Sequence, residues 1–70
     1  MKILDMFASP EGLENIVERA EEAEGRQEWG NAAKLYERAM DIASTLGAEV
    51  DALYFEGKMY ENRVNASYLP

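Results

Sequence analysis

The chain has 70 residues with 14 acidic and 7 basic side chains, a net charge of -7, and neither cysteine nor histidine. The length limits it to one domain, residues 1–70, and the missing residue types exclude disulfides, zinc fingers and thiolate or imidazole catalysis. The acidic balance argues against binding to nucleic acid or to an anionic membrane, because both favour clustered lysine and arginine. We expect no metal and no other cofactor.

The N-terminal segment, residues 1–8, carries several large apolar side chains. They are Ile3, Leu4, Met6 and Phe7. The stretch is interrupted by Asp5 and is too short for the apolar region of a signal peptide, and no run in the chain is long enough to span a bilayer. We therefore expect a cytoplasmic protein. Because several of its side chains are apolar, we also expect the N-terminal segment to pack on the helices of its own chain or on a second copy of the chain.

The first predicted helix covers about residues 10–25. Ser9 can cap it, Pro10 suits its first position, and Gly25 is a residue type that ends helices. Apolar side chains recur along it at helical spacing, whereas glutamates fill the other side. The apolar positions are Leu13, Ile16, Val17, Ala20 and Ala23.

The second predicted helix, about residues 28–46, alternates very large and very small side chains along one stripe. Small residues let a neighbouring helix approach closely, and Tyr36 fills the space beyond the contact. Gly47 is expected to end the helix. The stripe consists of Trp29, Ala32, Leu35, Tyr36, Ala39, Met40, Ala43 and Leu46.

The third predicted helix, about residues 48–65, is apolar on two sides, and residues 66–70 are expected to fray. One stripe consists of Val50, Leu53, Gly57, Tyr60 and Val64, and the other of Ala52, Phe55 and Met59. The chain supplies no further helix for the second stripe. Either the N-terminal segment covers it, or it is an exposed patch that a partner binds. The candidate partner-binding residues are therefore Phe55, Met59 and Ala52, with Lys58 and Arg63 as charged neighbours.

Both connections between the helices are short, which makes consecutive helices antiparallel neighbours. The predicted fold is an all-α, three-helix antiparallel bundle.

The second helix of this bundle resembles the second helix of a tetratricopeptide repeat at Trp29, Ala32, Tyr36 and Ala39. Leu53, Gly57 and Tyr60 resemble the first helix of a following repeat. This resemblance implies a helical hairpin plus one helix, about one and a half repeats, so that the chain is either a fragment of a longer array or completed by a partner.

The same residues also resemble a second family, the microtubule-interacting-and-trafficking domain. That family is a three-helix bundle of about this size, and it carries small and aromatic residues like those at Ala20, Trp29, Ala32, Tyr36 and Ala39. The resemblance implies binding of short helical peptides in grooves between helices.

Three functions follow as hypotheses, and none of them is enzymatic. The first is a module that binds another protein or peptide in an inter-helix groove, either between the first and third helices or beside the third. Arg19, Arg26, Lys58 and Arg63 would supply local positive charge. The second is a homo-oligomer formed through the excess apolar face of the third helix. The third is an acidic regulator of a basic partner. We do not expect an enzyme, because no nucleophile lies beside a base and no phosphate-binding loop occurs.

Overall fold

A computed structural model describes residues 9–68, which form three α-helices: α1, Pro10–Gly25; α2, Trp29–Thr45; and α3, Glu49–Tyr68. No strand occurs within this range. The all-α three-helix fold is therefore as predicted. The main difference lies at the end of α3, because residues 66–68, which were expected to fray, continue the helix.

The start of α1 follows the predicted capping chemistry. The Ser9 hydroxyl accepts a 3.0 Å hydrogen bond from the backbone N–H of Gly12, and Pro10 occupies the first turn, where a helix needs no amide donor. Ser9 itself has extended backbone geometry, as is usual for the residue before a helix. The position at which α1 begins is thus fixed by local chemistry.

The two corners between helices have the same hydrogen-bond pattern. At the first, Glu28 N–H donates to the Ala23 carbonyl and Gln27 N–H to that of Glu24; at the second, Ala48 N–H donates to the Ala43 carbonyl. This is the Schellman arrangement, in which one residue takes a left-handed conformation. Gly47 does so with φ of 79°, as its residue type predicts, whereas Gln27 does so with φ of 61° at the first corner. Gly25, the predicted stop, is the last helical residue.

The core is formed where α2 packs against α1 on one side and α3 on the other. Most of its buried apolar residues are alanines, so the helix surfaces meet with few long side chains between them. The buried apolar residues are Ala20, Ala23, Ala32, Ala33, Tyr36, Ala39, Ala43, Ala52, Phe55 and Met59. The predicted stripe of α2 holds for its alanines and Tyr36, but Trp29, Leu35 and Met40 are only half-buried and Leu46 is exposed.

The face of α3 that was predicted to need a cover is instead part of this core. Ala52, Phe55 and Met59 are buried, and the Phe55 ring stacks on that of Tyr36 with 6.3 Å between ring centroids. These three residues therefore do not form an exposed patch, because α2 already covers them. The predicted packing of the N-terminal segment concerns residues outside the described range.

Candidate interaction surface

The outer face of α3 carries all but one of the large apolar side chains that are exposed among the described residues. Its large side chains are between 52% and 81% exposed and follow one another at helical spacing along the whole helix. They are Val50, Leu53, Tyr54, Tyr60, Val64 and Tyr68. These residues lie opposite the buried side of α3 and include most of the first predicted stripe. We refer to this surface, with Gly57, as the α3 outer face.

Gly57 lies in the middle of the α3 outer face. A β-carbon built at this position would meet no atom of the described residues within 4 Å, so packing within the chain does not demand glycine there. A glycine in a helix interior costs about 0.5–1 kcal/mol relative to alanine. Its presence leaves a gap in the side-chain stripe between Leu53 and Tyr60.

Lys58, a predicted partner-binding residue, lies on the side of α3 that faces α1. Its ammonium is 3.0 Å from the carboxylate of Glu24 and 3.7 Å from that of Glu61, and it lies 5.6 Å from the centre of the Tyr36 ring. The hydrogen bond that the Lys58 ammonium donates to the Glu24 carboxylate raises the pKa of Lys58 above its ordinary value, against the effect of burial. Lys58 thus joins α3 to α1 within the chain.

Arg63, the other predicted charged contact, lies on the side of α3 that faces α2. Its guanidinium donates a 2.8 Å hydrogen bond to Glu37 and sits 5.8 Å from the centre of the Tyr60 ring. About half of each side chain in this ion pair remains exposed. Arg63 therefore stays available at the edge of the α3 outer face, where an exposed ion pair contributes little to stability.

Glu24, at the end of α1, joins all three helices. Its carboxylate accepts hydrogen bonds from the Tyr36 hydroxyl of α2 at 3.0 Å and from the Asn62 amide of α3 at 2.8 Å, besides its ion pair with Lys58. Burial by itself would raise the pKa of Glu24, but these three donors outweigh burial and hold the pKa below 4.5. The Tyr36 pKa is raised, first by burial and then by its bond to Glu24. The group is thus an ionised carboxylate held by neutral and positive donors.

Asn62 is a buried polar residue that the sequence analysis did not single out. It is completely inaccessible, and its amide also donates a 2.8 Å hydrogen bond to the Lys58 carbonyl. Its amide oxygen has no hydrogen-bond partner among the described residues, and neither has the indole nitrogen of Trp29. The available sequence signal was its spacing, because Asn62 continues the buried stripe one step beyond Met59.

Two grooves open beside α2, each of about 320 Å³. The groove between α1 and α2 is largely polar, and its walls include Arg19, Arg26 and Leu35. The groove between α2 and α3 is largely apolar, and its walls include Met40 and Leu53. Because Leu53 belongs also to the α3 outer face, the second groove extends that surface toward α2. This second groove lies beside α3, one of the two positions at which the sequence analysis expects a binding groove.

Comparisons with protein-family profiles, with curated proteins and with solved structures find no match to this chain. Over residues 9–68, no set of three or more acidic side chains is arranged to hold a metal ion. None of the three described helices has the combination of length and apolar character that crossing a membrane requires. The interpretation of the α3 outer face therefore depends on its own chemistry.

Proposed function

We propose that the chain is a non-enzymatic protein–protein interaction module that holds a peptide or helix of its partner on the α3 outer face. The observation that carries this proposal is the row of large apolar side chains left exposed along the whole of α3. Contiguous apolar surface of this kind is uncommon in monomeric proteins and marks interaction sites. A straight apolar stripe on a helix suits an amphipathic helix or an extended peptide as its ligand.

The groove between α2 and α3 supports the same proposal. A partner lying along α3 would bring its own side chains over this groove, whose apolar wall includes Leu53 and Met40. Glu49 and Glu56 line it as well and would favour a basic residue on the partner. The binding surface proposed here thus includes an inter-helix groove beside α3, one of the two positions expected from the sequence.

The resemblance to two helical families supports a binding role without distinguishing between them. Burial of Ala32, Tyr36 and Ala39 in helix contacts agrees with the packing that both the tetratricopeptide repeat and the microtubule-interacting-and-trafficking domain use. The second resemblance implies recognition of helical peptides and the first implies completion by a partner, and both are analogies at the level of the fold. The cytoplasm stays the predicted location.

A non-enzymatic role is part of the proposal. Glu24 is the carboxyl group whose pKa is shifted by its surroundings, and its three hydrogen-bond donors stabilise the ionised form. A general acid or base near neutral pH requires a pKa moved toward 7, which is the opposite direction. Glu24 is therefore better explained as a structural link between helices than as a reacting group.

The experiment that tests this function is site-specific photo-cross-linking in cells that produce the full chain. A photoreactive residue is placed at Leu53 or at Tyr60 on the α3 outer face, and at Glu18, an exposed residue of α1, as a control. We expect protein adducts from positions 53 and 60 and none from position 18. Absence of adducts from the α3 positions, or equal adducts from position 18, would contradict the proposal.

A further inference from the structure

We propose that the occupant of the α3 outer face is the same face of a second copy, with the two α3 helices antiparallel across a two-fold axis. This inference deepens the proposed function and rests on it. In the register we propose, Gly57 of each copy faces Tyr60 of the other, and Leu53 of each faces Val64 of the other. The two copies then form a six-helix assembly in which both α3 helices lie at the centre.

The spacing of the α3 outer face is the first reason for this arrangement. Positions 50, 53, 57, 60 and 64 advance by three and four residues in alternation, which is the repeat that keeps two packed helices in contact. The core residues Phe55 and Met59 lie on the opposite side of α3, bound to α2. The α3 helix of a second copy can therefore lie along the whole α3 outer face without disturbing the contact between α3 and α2.

Size complementarity is the second reason. Gly57 has open space above its α-carbon, and Tyr60, one helical turn away, is 55% exposed. In the antiparallel register the ring of Tyr60 from the second copy lies over Gly57, and the symmetric contact repeats on the other side of the axis. This arrangement gives a reason for a glycine in the interior of a helix that packing within the chain does not give.

Charge complementarity is the third reason, and it fixes the direction of the pairing. Glu56 and Arg63 lie along the same edge of the α3 outer face, two helical turns apart. Antiparallel pairing brings Glu56 of one copy beside Arg63 of the other, twice per dimer. Parallel pairing would instead bring Glu56 beside Glu61 of the second copy and leave Gly57 against Gly57. Like charges across a helix pair oppose association, so the antiparallel form is favoured.

Cross-linking of the full chain tests the register directly, because the natural sequence has no cysteine. Leu53→Cys and Val64→Cys chains are made separately, mixed in equal amounts and oxidised. We expect the mixed disulfide between positions 53 and 64, since the antiparallel register places identical positions about 16 Å apart, too far for a disulfide. Predominance of disulfides between identical positions would indicate parallel pairing and overturn the proposal.

Charge exchange provides a second test, read by sedimentation equilibrium. Glu56→Arg alone and Arg63→Glu alone place like charges across the interface, and we expect each to weaken dimerisation about tenfold. The double variant should restore it. Glu56 and Arg63 are about 10 Å apart within one chain, and Arg63→Glu loses its bond to Glu37 in either background. Recovery of dimerisation in the double variant therefore reports contact between Glu56 and Arg63 of different copies. A double variant that dimerises as weakly as the single variants would contradict the register.

The oligomeric state separates this inference from the proposed function. A chain that stays monomeric at high concentration, yet gives photo-adducts with a different protein from positions 53 and 60, would overturn the dimer and leave the interaction module in place. A monomer whose position-53 adduct joins its own residues 1–8 would assign the face to the N-terminal segment instead. Gly57→Leu should keep the helical circular dichroism signal while abolishing the dimer, which shows that loss of association is not loss of fold.

Discussion

The hydroxyl of Tyr36 in α2 donates a 3.0 Å hydrogen bond to the carboxylate of Glu24, which lies in the last turn of α1 and pairs with Lys58 of α3. Through these two residues the packing of the helices is linked to the charge of one carboxyl. The free energy of unfolding is therefore expected to depend on pH through Glu24, although most acidic side chains of the chain lie on its surface.

The first prediction is that part of the stability depends on the ionised form of Glu24. Its folded-state pKa lies below 4.5, so this contribution is present above that pH and is lost as pH falls through the folded value. We expect Glu24→Gln to lower the free energy of unfolding at pH 7 by about 1–2 kcal/mol. Urea denaturation at pH 7 and at a series of lower pH values measures the difference.

The control is Glu18→Gln, which removes an equal charge from an exposed position of α1. The difference in free energy of unfolding between the Glu24→Gln chain and the natural chain should narrow once the pH falls below the folded-state pKa of Glu24, because protonation then removes from the natural chain the charge that glutamine already lacks. A difference that stays constant down to the lowest pH at which the chain folds would show that the pairing with Lys58 and Asn62 does not depend on charge.

The second prediction concerns Asn62, whose amide faces the Glu24 carboxylate at 2.8 Å. Asn62→Asp replaces this donor with a second carboxylate of nearly the same shape. We expect a loss of about 2 kcal/mol or more at pH 7, partly recovered on acidification, because two close carboxylates resist simultaneous ionisation. Thermal unfolding across pH measures this. Asn65→Asp, on the same helix, is the control, and equal behaviour of the two variants would argue against a specific contact.

The third prediction follows from the left-handed conformation of Gln27 at the first corner. A residue with a β-carbon is strained there, whereas glycine is not. We expect Gln27→Gly to raise the free energy of unfolding by about 0.5–1 kcal/mol. Arg26→Gly, next to it but with φ of -92°, should instead destabilise the chain. The two melting temperatures, compared with that of the natural chain, check the sign of each effect.

The fourth prediction tests the close contact of α2 with its neighbours. Ala39 is completely buried, so Ala39→Leu forces extra methylene groups between helices and should cost about 1–3 kcal/mol. Lys34→Leu adds the same side chain at an exposed position of α2 and should change stability by less than about 0.5 kcal/mol. Similar stabilities for the two variants, measured by chemical denaturation, would mean that the helices are not closely packed at position 39.

The helices and their ends were predictable because the signals are local. Ser9 and Pro10 fix the start of α1, and Gly47 fixes the second corner, each through backbone chemistry within a few residues. The end of α3 was missed because alanine and tyrosine give no stop signal before Pro70. Burial of Tyr36 and Ala39 was likewise predictable, since the spacing of large and small residues defines one side of α2.

The inward face of α3 was not predictable from its own sequence, because both of its sides are apolar at helical spacing. Which side of α3 is buried depends on α2, because the Tyr36 ring of α2 stacks on Phe55 while Leu53 remains exposed to solvent. The Glu24 cluster was missed for a similar reason. Asn62 is 38 positions from Glu24 in sequence, and only the packed helices bring the two together.

The scarcity of long side chains in the core has a consequence for abundance in the cell. Burial of a methyl group contributes less free energy than burial of a leucine or phenylalanine, so a domain of this size built around alanine has a small reserve against proteolysis. Any molecule that occupies α3 adds stability that grows with the logarithm of its concentration, and one or two kcal/mol change steady-state protein levels several-fold. The amount of this chain should therefore rise and fall with whatever binds it.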